Sequence, residues 1–196
     1  MDPRKKDRYY ERAKKEGYLA RSVFKLEEID QKYKILRQGH RILDLGASPG
    51  SWMQYAIGRV GPQGLVVGID KSPIQVSPGP GVECLQADIL AFDFEGWVKE
   101  RGAFHAVLSD VAPKTTGQRD RDHAASLELC EMARSVAMRA LKKGGAFVCK
   151  MYQGDHTKAF LEGLKPHFEM VKIQKPDASR SESKEIFYVA LGFLDS

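Results

Sequence analysis

Residues 41–52 read RILDLGASPGSW, and this stretch decides the fold. The run RILDL (41–45) is short, apolar and β-branched, with Asp44 near its end. A Gly/Ser/Pro turn follows, and a helix is expected from Ser51 to about Gly58. Continuous apolar runs of this length suit strands covered on both faces, as in a parallel sheet. The same design recurs along the chain. LVVGID (65–70) ends in Asp70, VECLQAD (82–88) in Asp88 and AFHAVLSD (103–110) in Asp110, whereas AFVCKM (146–151) carries Lys150. Between the last two runs, Leu129, Ala133, Val136 and Ala140 set a helical repeat over 123–142. Gly144 and Gly145 are expected to stop that helix. Asp155 is expected to cap a shorter helix that closes near Leu164, ahead of Pro166. MVKIQK (170–175) and EIFYVALGF (185–193), joined by the polar loop PDASRSESK, read as a terminal hairpin.

Strand–helix units in this order imply one doubly wound, Rossmann-like α/β sheet of seven strands, the last of them antiparallel. Residues 1–196 are expected to form a single domain. Ligands in such a sheet sit beyond the carboxyl ends of the strands. Asp44, Asp70, Asp88, Asp110 and Lys150 all fall there, and five charged side chains on one rim make a site.

The glycines after the first strand allow close backbone approach to a ligand. A dinucleotide site would want G-x-G-x-x-G with a pyrophosphate on the helix amides. Here the spacing is Gly46-x-x-x-Gly50, and Pro49 removes an amide donor that a phosphate would use. The loop therefore favours a cofactor without phosphates. Asp70 is placed to accept from ribose hydroxyls and Asp88 to meet an adenine end. Trp52 offers an aromatic surface or a helix-packing ring.

Charge is uneven. The chain carries +5 overall, but residues 1–41 alone hold 13 Lys or Arg against 7 Asp or Glu. A basic arm on a near-neutral domain is a nucleic-acid footprint, and a solvated helix face is the alternative reading. Tyr9, Tyr10, Tyr18 and Phe24 lie among these bases and could stack on unpaired RNA bases. Residues 1–40 are accordingly expected to be a helical RNA-binding segment, with Ser179 and Arg180 as a second contact. No apolar run is long enough for a membrane helix. The N-terminus lacks the apolar stretch of a secretory signal. Cys84, Cys130 and Cys149 form no CxxC pair, and the five histidines show no metal-ligand spacing. No metal, no membrane and a reducing, cytoplasmic setting are expected.

Lys150 ends an apolar strand, where an ammonium must emerge or be paired. Asp110 ends the neighbouring strand, and Glu185 begins the last one, next to the strand of Lys150. Lys25 lies on an amphipathic helix with Val23, Leu26 and Ile29. Over essentially its whole length the chain resembles the FtsJ/RrmJ ribose 2′-O-methyltransferases. The matching segments are RSVFKL (21–26), LDLGASPGSW (43–52), SDVAP (109–113), KMYQG (150–154) and KPDASRSESKEIFYVALGF (175–193). Ser51 stands where some relatives have glycine, and KTTG follows SDVAP in place of NMSG.

That resemblance implies S-adenosylmethionine as methyl donor, bound through Gly46, Gly50, Trp52, Asp70, Asp88 and Asp110. It also implies a catalytic set of Lys25, Asp110, Lys150 and Glu185. The implied acceptor is a uridine ribose of 23S ribosomal RNA in the large (50S) subunit, with a monomeric enzyme. The residues leave two roles open for Lys150. It could act as a neutral base, favoured by the Lys25 charge, or as an ammonium held by Asp110 and Glu185 that orients the hydroxyl. A transfer-RNA ribose methyltransferase of the same family is the alternative substrate reading, and a non-catalytic RNA-binding module the alternative class. A short-chain NAD oxidoreductase would need a Tyr-x-x-x-Lys pair after the fourth strand. The pair Tyr10 and Lys14 instead precedes the first.

Overall fold

The structure is a computed structural model and describes residues 8–180 and 182–194. In chain order the elements are α1 (Arg8–Glu16), α2 (Val23–Tyr33), β1 (Arg41–Leu45), α3 (Ser51–Val60), β2 (Leu65–Asp70), β3 (Val82–Gln86), α4 (Phe94–Arg101) and β4 (Phe104–Ser109). They continue with α5 (Arg119–Ala140), β5 (Leu141–Tyr152), α6 (Thr157–Leu164), a single 3-10 turn (Lys165–His167), β6 (Phe168–Gln174) and β7 (Glu185–Phe193). The basic residues Arg4, Lys5 and Lys6 lie outside the described residues.

The seven strands form one sheet in the order β3-β2-β1-β4-β5-β7-β6. β1 to β5 pair in parallel, and β7 runs antiparallel to both β5 and β6. The strand order reverses beside β1, so the loops after β1 and β4 diverge to opposite faces and leave a crevice between them. Alternate side chains build two cores, because successive residues of a strand point to opposite faces. Leu43, Val107, Phe147 and Cys149 pack under α4, α5 and α6, with Val98, Ala133 and Phe160 among the helix contributions. Ile42, Val66, Leu108, Val148 and Phe187 pack under α2 and α3, against Leu26, Ile29, Met53 and Ala56. α3 approaches β2 closely because Gly68 has no side chain. A Cβ there would lie 2.2 Å from Met53 Sδ.

Three details depart from the sequence reading. α5 ends at Ala140, not at the glycines. Leu141 already pairs with Phe104, and the polar bulge through Lys142–Gly144 brings Ala146 opposite Ala106. Burial of Leu141 against the start of β4 thus ends the helix before the glycines are reached. Asp155 caps nothing. The cap position of α6 is His156, and the Thr157 hydroxyl closes the turn by donating to the Gly154 carbonyl at 2.7 Å. α4 is an addition, opened by Asp93, whose carboxylate accepts from the Glu95 and Gly96 amides at 3.1 and 3.2 Å.

α2 is fixed by a buried carboxylate. Asp30 Oδ1 accepts from the Leu36 amide at 2.8 Å, while Oδ2 accepts from Tyr55 Oη at 3.0 Å and Arg59 Nε at 3.1 Å. Burial, and then the Asp30 charge, push the Tyr55 phenol above its ordinary range. Replacing Asp30 with Ala leaves an amide and a phenol without their acceptor. Urea denaturation is expected to show a loss of roughly 2–3 kcal/mol.

Candidate active site

The turn after β1 and the ends of β2 and β4 enclose a cavity of about 520 Å³. That size lies within the range of about 300–1,000 Å³ typical of small-molecule sites. Asp70 and Asp88 stand on its polar side, while Ile89, Leu90, Val111, Pro113 and Leu129 supply apolar walls. Asp70 also holds the turn: Oδ2 accepts from the Ser48 amide at 3.0 Å and Oδ1 from the Ser72 amide at 2.7 Å. Asp88 Oδ1 accepts from the Leu90 amide at 3.0 Å. Gly46 has φ +74°, and a Cβ on it would lie 2.7 Å from Val111 Cβ, so glycine keeps the turns after β1 and β4 in contact.

Two of the expected cofactor residues sit elsewhere. Gly50 is the N-cap of α3, and a Cβ there would meet Val76 of the β2–β3 loop, away from the cavity. Trp52 is buried, its ring 5.9 Å from that of Phe187, and Nε1 donates to the Ser22 carbonyl at 2.9 Å. Its ring thus packs between α2 and β7. Its contact with the cavity system is through a cleft of about 40 Å³, shared with Ser22, Asp44, Ser51 and Asp110.

Lys25, Asp110, Lys150 and Glu185 come together. Lys150 Nζ is 2.8 Å from Asp110 Oδ1 and donates to the Asp110 carbonyl at 2.6 Å. The Oδ1 contact is an ion pair off the hydrogen-bond direction, since that oxygen accepts no hydrogen bond. Lys25 Nζ lies 2.7 Å from Glu185 Oε1 and 3.8 Å from Asp110 Oδ1. The order Glu185–Lys25–Asp110–Lys150 alternates in sign, so each charge of this largely buried set faces an opposite one, as burial requires. Asp110 lines the larger cavity, and Lys25 and Glu185 line a second one of about 430 Å³ with Arg21, Ser22, Arg180 and Ser183. Ser22 ties the two sides together. Its Oγ shares a hydrogen bond with Ser51 Oγ at 3.0 Å, one residue past the cofactor-type turn.

The aromatic residues of the basic segment mostly pack inward. Tyr9 and Tyr18 lie 5.6 and 6.0 Å from Phe24, around a small core with Ala13, Val23 and Ala178. They hold α1 and the 175–184 loop to α2, where Glu28 accepts from the Asp177 and Ala178 amides. Tyr10 alone of the four is largely exposed, at 58%. Stacking on RNA by all four is therefore excluded in this arrangement, because three already have apolar partners.

A sequence profile described as FtsJ-like methyltransferase matches residues 18–193. The chain belongs to this family. A ribosomal RNA large subunit methyltransferase E from Bdellovibrio bacteriovorus is 50% identical over 95% of this chain and 96% of that protein. One of the same description from Nitratidesulfovibrio vulgaris is 48% identical over 96% and 94%. Among solved structures, one assigned as a ribosomal RNA methyltransferase from Plasmodium falciparum superposes with a TM-score of 0.79 at 31% identity, covering 90% of this chain and 99% of that one. Human methyltransferase-like protein 13, solved with SAH, shares the fold at TM-score 0.63 and 14% identity, over 84% and 80%.

In this FtsJ-like methyltransferase the residue that sequence reasoning undervalued is Asp44. It stands with the other strand-end acids in the sequence, yet it is buried and its Oδ2 has no hydrogen-bond partner. Burial, then Asp110, then Asp70 hold its carboxyl well above the usual carboxylate range. Only its place one residue before the strand's end could have hinted at this. A raised folded value means that the folded protein keeps a proton the unfolded chain has released. Stability then falls as pH rises from about 4, where an unfolded Asp ionises, up to the raised folded value. Asp44→Asn is expected to be more stable than the parent at neutral pH, by a margin that shrinks to nothing below about pH 4. Urea denaturation across that range checks it, and a margin independent of pH would contradict it.

Proposed function

We propose that the chain transfers a methyl group from S-adenosylmethionine to the ribose 2′-hydroxyl of a uridine in 23S ribosomal RNA, within the large (50S) subunit. The observation that carries this reading is the alternating set Glu185–Lys25–Asp110–Lys150, placed between one cavity suited to an adenosyl group and another open to a polynucleotide. The first cavity fits the donor on its own chemistry. It has acids for ribose and adenine and apolar walls, and the Ser48 amide of its turn is already taken by Asp70. Asp44, with its orphaned oxygen beside that cavity, suits the positive end of the same donor. The curated relatives named above, which this chain matches over nearly their full length, support the ribosomal substrate.

Bound there, S-adenosylmethionine supplies a methyl group already activated on sulfur. The protein has to position the 2′-oxygen behind it and lower the cost of the charge that develops. Lys150 suits an orienting role rather than that of a neutral base. An ammonium has three donors. One is given to the Asp110 carbonyl, and with the ammonium held beside the Asp110 carboxylate by charge, another can hold the 2′-oxygen. With the donor held in the first cavity, Lys150 would keep the 2′-oxygen facing the methyl group, and the hydroxyl proton would pass to water as that oxygen is methylated, so that the ammonium does not face a cationic oxygen. Lys25 keeps Asp110 and Glu185 in place and stops either carboxylate from swinging onto Lys150 alone.

All four side chains come from one copy, which supports a monomeric enzyme. Arg21 and Arg180 on the second cavity, with Lys14, Lys15 and Tyr10 of α1, support an RNA-facing surface on residues 8–40 and the loop after β6. Three free cysteines suit a reducing cytoplasm, and no helix of the described residues is long and apolar enough to cross a membrane. No group of His, Cys, Asp or Glu able to hold a metal occurs among the described residues.

Offered radiolabelled cofactor with 50S subunits, naked ribosomal RNA and transfer RNA, the enzyme is expected to label one uridine ribose of 23S RNA in the subunit. Label chiefly in transfer RNA would overturn the substrate assignment. Lys150→Ala is expected to lower the rate about 100- to 1,000-fold. Lys150→Arg, permanently charged, should retain activity within about tenfold. A pH–rate profile in which Arg is as inactive as Ala would return Lys150 to the role of base.

A further inference from the structure

The parallel strands begin on the opposite rim of the sheet, roughly 17 Å from the catalytic set by the five residue steps from His105 in β4 to Asp110 just past its end. A cavity of about 300 Å³ opens there between the α2–β1 loop and the starts of β4 and β5. Lys34, Arg37, His40, His105 and Lys142 line it, and none of its lining residues is acidic. Among the described residues, no ion pair is formed by Lys34, Arg37 or Lys142, the three cations of this lining.

The hydrogen bonds of His105 fix where its proton sits. The Arg41 backbone N–H donates to Nδ1 at 3.0 Å, so the proton of the neutral ring is on Nε2. Nε2 lies 3.4 Å from Lys142 Nζ, and an ammonium cannot accept. Two donors therefore face one another, and neither tautomer relieves the conflict without breaking the Arg41 bond. The His40 ring stacks on His105 with centroids 4.2 Å apart, and its buried Nδ1 has no partner. Burial first, then His40 and Lys142, bring His105 down to about 4, so at neutral pH its ring is an uncharged donor. Facing donors, three cations and a lining without carboxylates make the chemistry of this cavity that of an anion site.

We propose that this cavity binds a phosphate group, whose oxygens accept from His105 Nε2–H and the Lys142 ammonium, with Arg37 and Lys34 as the cationic wall. Both a phosphodiester of the RNA substrate and free phosphate have this chemistry, and the experiment separates them. The first arm does not depend on the methyltransferase reading. Ring resonances of His40 and His105 are followed by NMR in the full chain as inorganic phosphate is added. A saturable shift is expected, with the titration of His105 moving up from about 4 as a bound anion favours the imidazolium. Lys142→Ala should weaken the binding at least tenfold, and Lys142→Arg should restore most of it. Lys142 is exposed, and an unchanged unfolding midpoint confirms that the variant folds. Absence of a saturable shift in the parent, or an equal shift in Lys142→Ala and Arg37→Ala, overturns the proposal. The second arm measures binding of a ribosomal RNA fragment against salt. A salt slope lower by about one in Lys142→Ala assigns the site to an RNA phosphodiester. An unchanged slope, with phosphate binding present in the parent, assigns it to free phosphate.

Discussion

Lys150 meets Asp110 because β4 and β5 run parallel with Ser109 opposite Cys149. Each strand then ends its apolar run one residue later, and the two charged side chains emerge side by side at the carboxyl rim. A slip of one residue would turn Lys150 into the core that Cys149 occupies and Cys149 out to the rim, since side chains alternate. The register is held from both sides. β7 pairs Lys150 with Phe187 and Tyr152 with Glu185, which sets the Glu185 carboxylate at the same rim. Three of the four catalytic candidates are thus placed by strand pairing alone. The fourth, Lys25, reaches them from α2, which is docked by Asp30 and by the Trp52 bond to Ser22.

This arrangement explains why the set can be so well covered. Isolated ions at this depth would be expelled or neutralised, and an ion pair broken on one side costs about 3–5 kcal/mol. In the alternating order no charge is left alone, and the Asp110 carbonyl supplies Lys150 with a further acceptor. Such a set adds little to stability as a whole, because desolvation offsets most of the attraction. Its value is geometric. Side chains locked by mutual contacts stay within the tolerance that a direct displacement on carbon demands.

Much of this was legible in the sequence because the governing signals are local. Strand ends marked by Asp70, Asp88 and Asp110 need only an apolar run and an acid to be seen. Where the reading departed from the structure, a distant contact had won. α5 stops at Ala140 because Leu141 is buried against Phe104, a residue 37 positions away, and no cap residue signals it. Tyr9 and Tyr18 read as an RNA-stacking array because their partners, Phe24 and Ala178, cannot be inferred from a charge pattern. α4 is short, and its cap Asp93 looks like any loop acid. The phosphate-type cavity was invisible for the same reason, since Arg37, His105 and Lys142 come from three segments that only the sheet brings together.

Asp44 shows how the two sides of the crevice differ. Asp70 and Asp88 satisfy loop amides and would be stable without any ligand. Asp44 has no such partner, and burial, then Asp110 and Asp70, raise its carboxyl well above the usual carboxylate range. A cationic ligand reverses that balance, while an anionic one worsens it. The turn after β1 therefore discriminates by charge as well as by shape. Pro49 denies a phosphate its amide, and Asp44 denies it a compatible field. The opposite rim has the reverse character, with three cations and a neutral histidine donor and no acid. One sheet thus presents a cation-seeking crevice where its parallel strands end and an anion-seeking one where they begin.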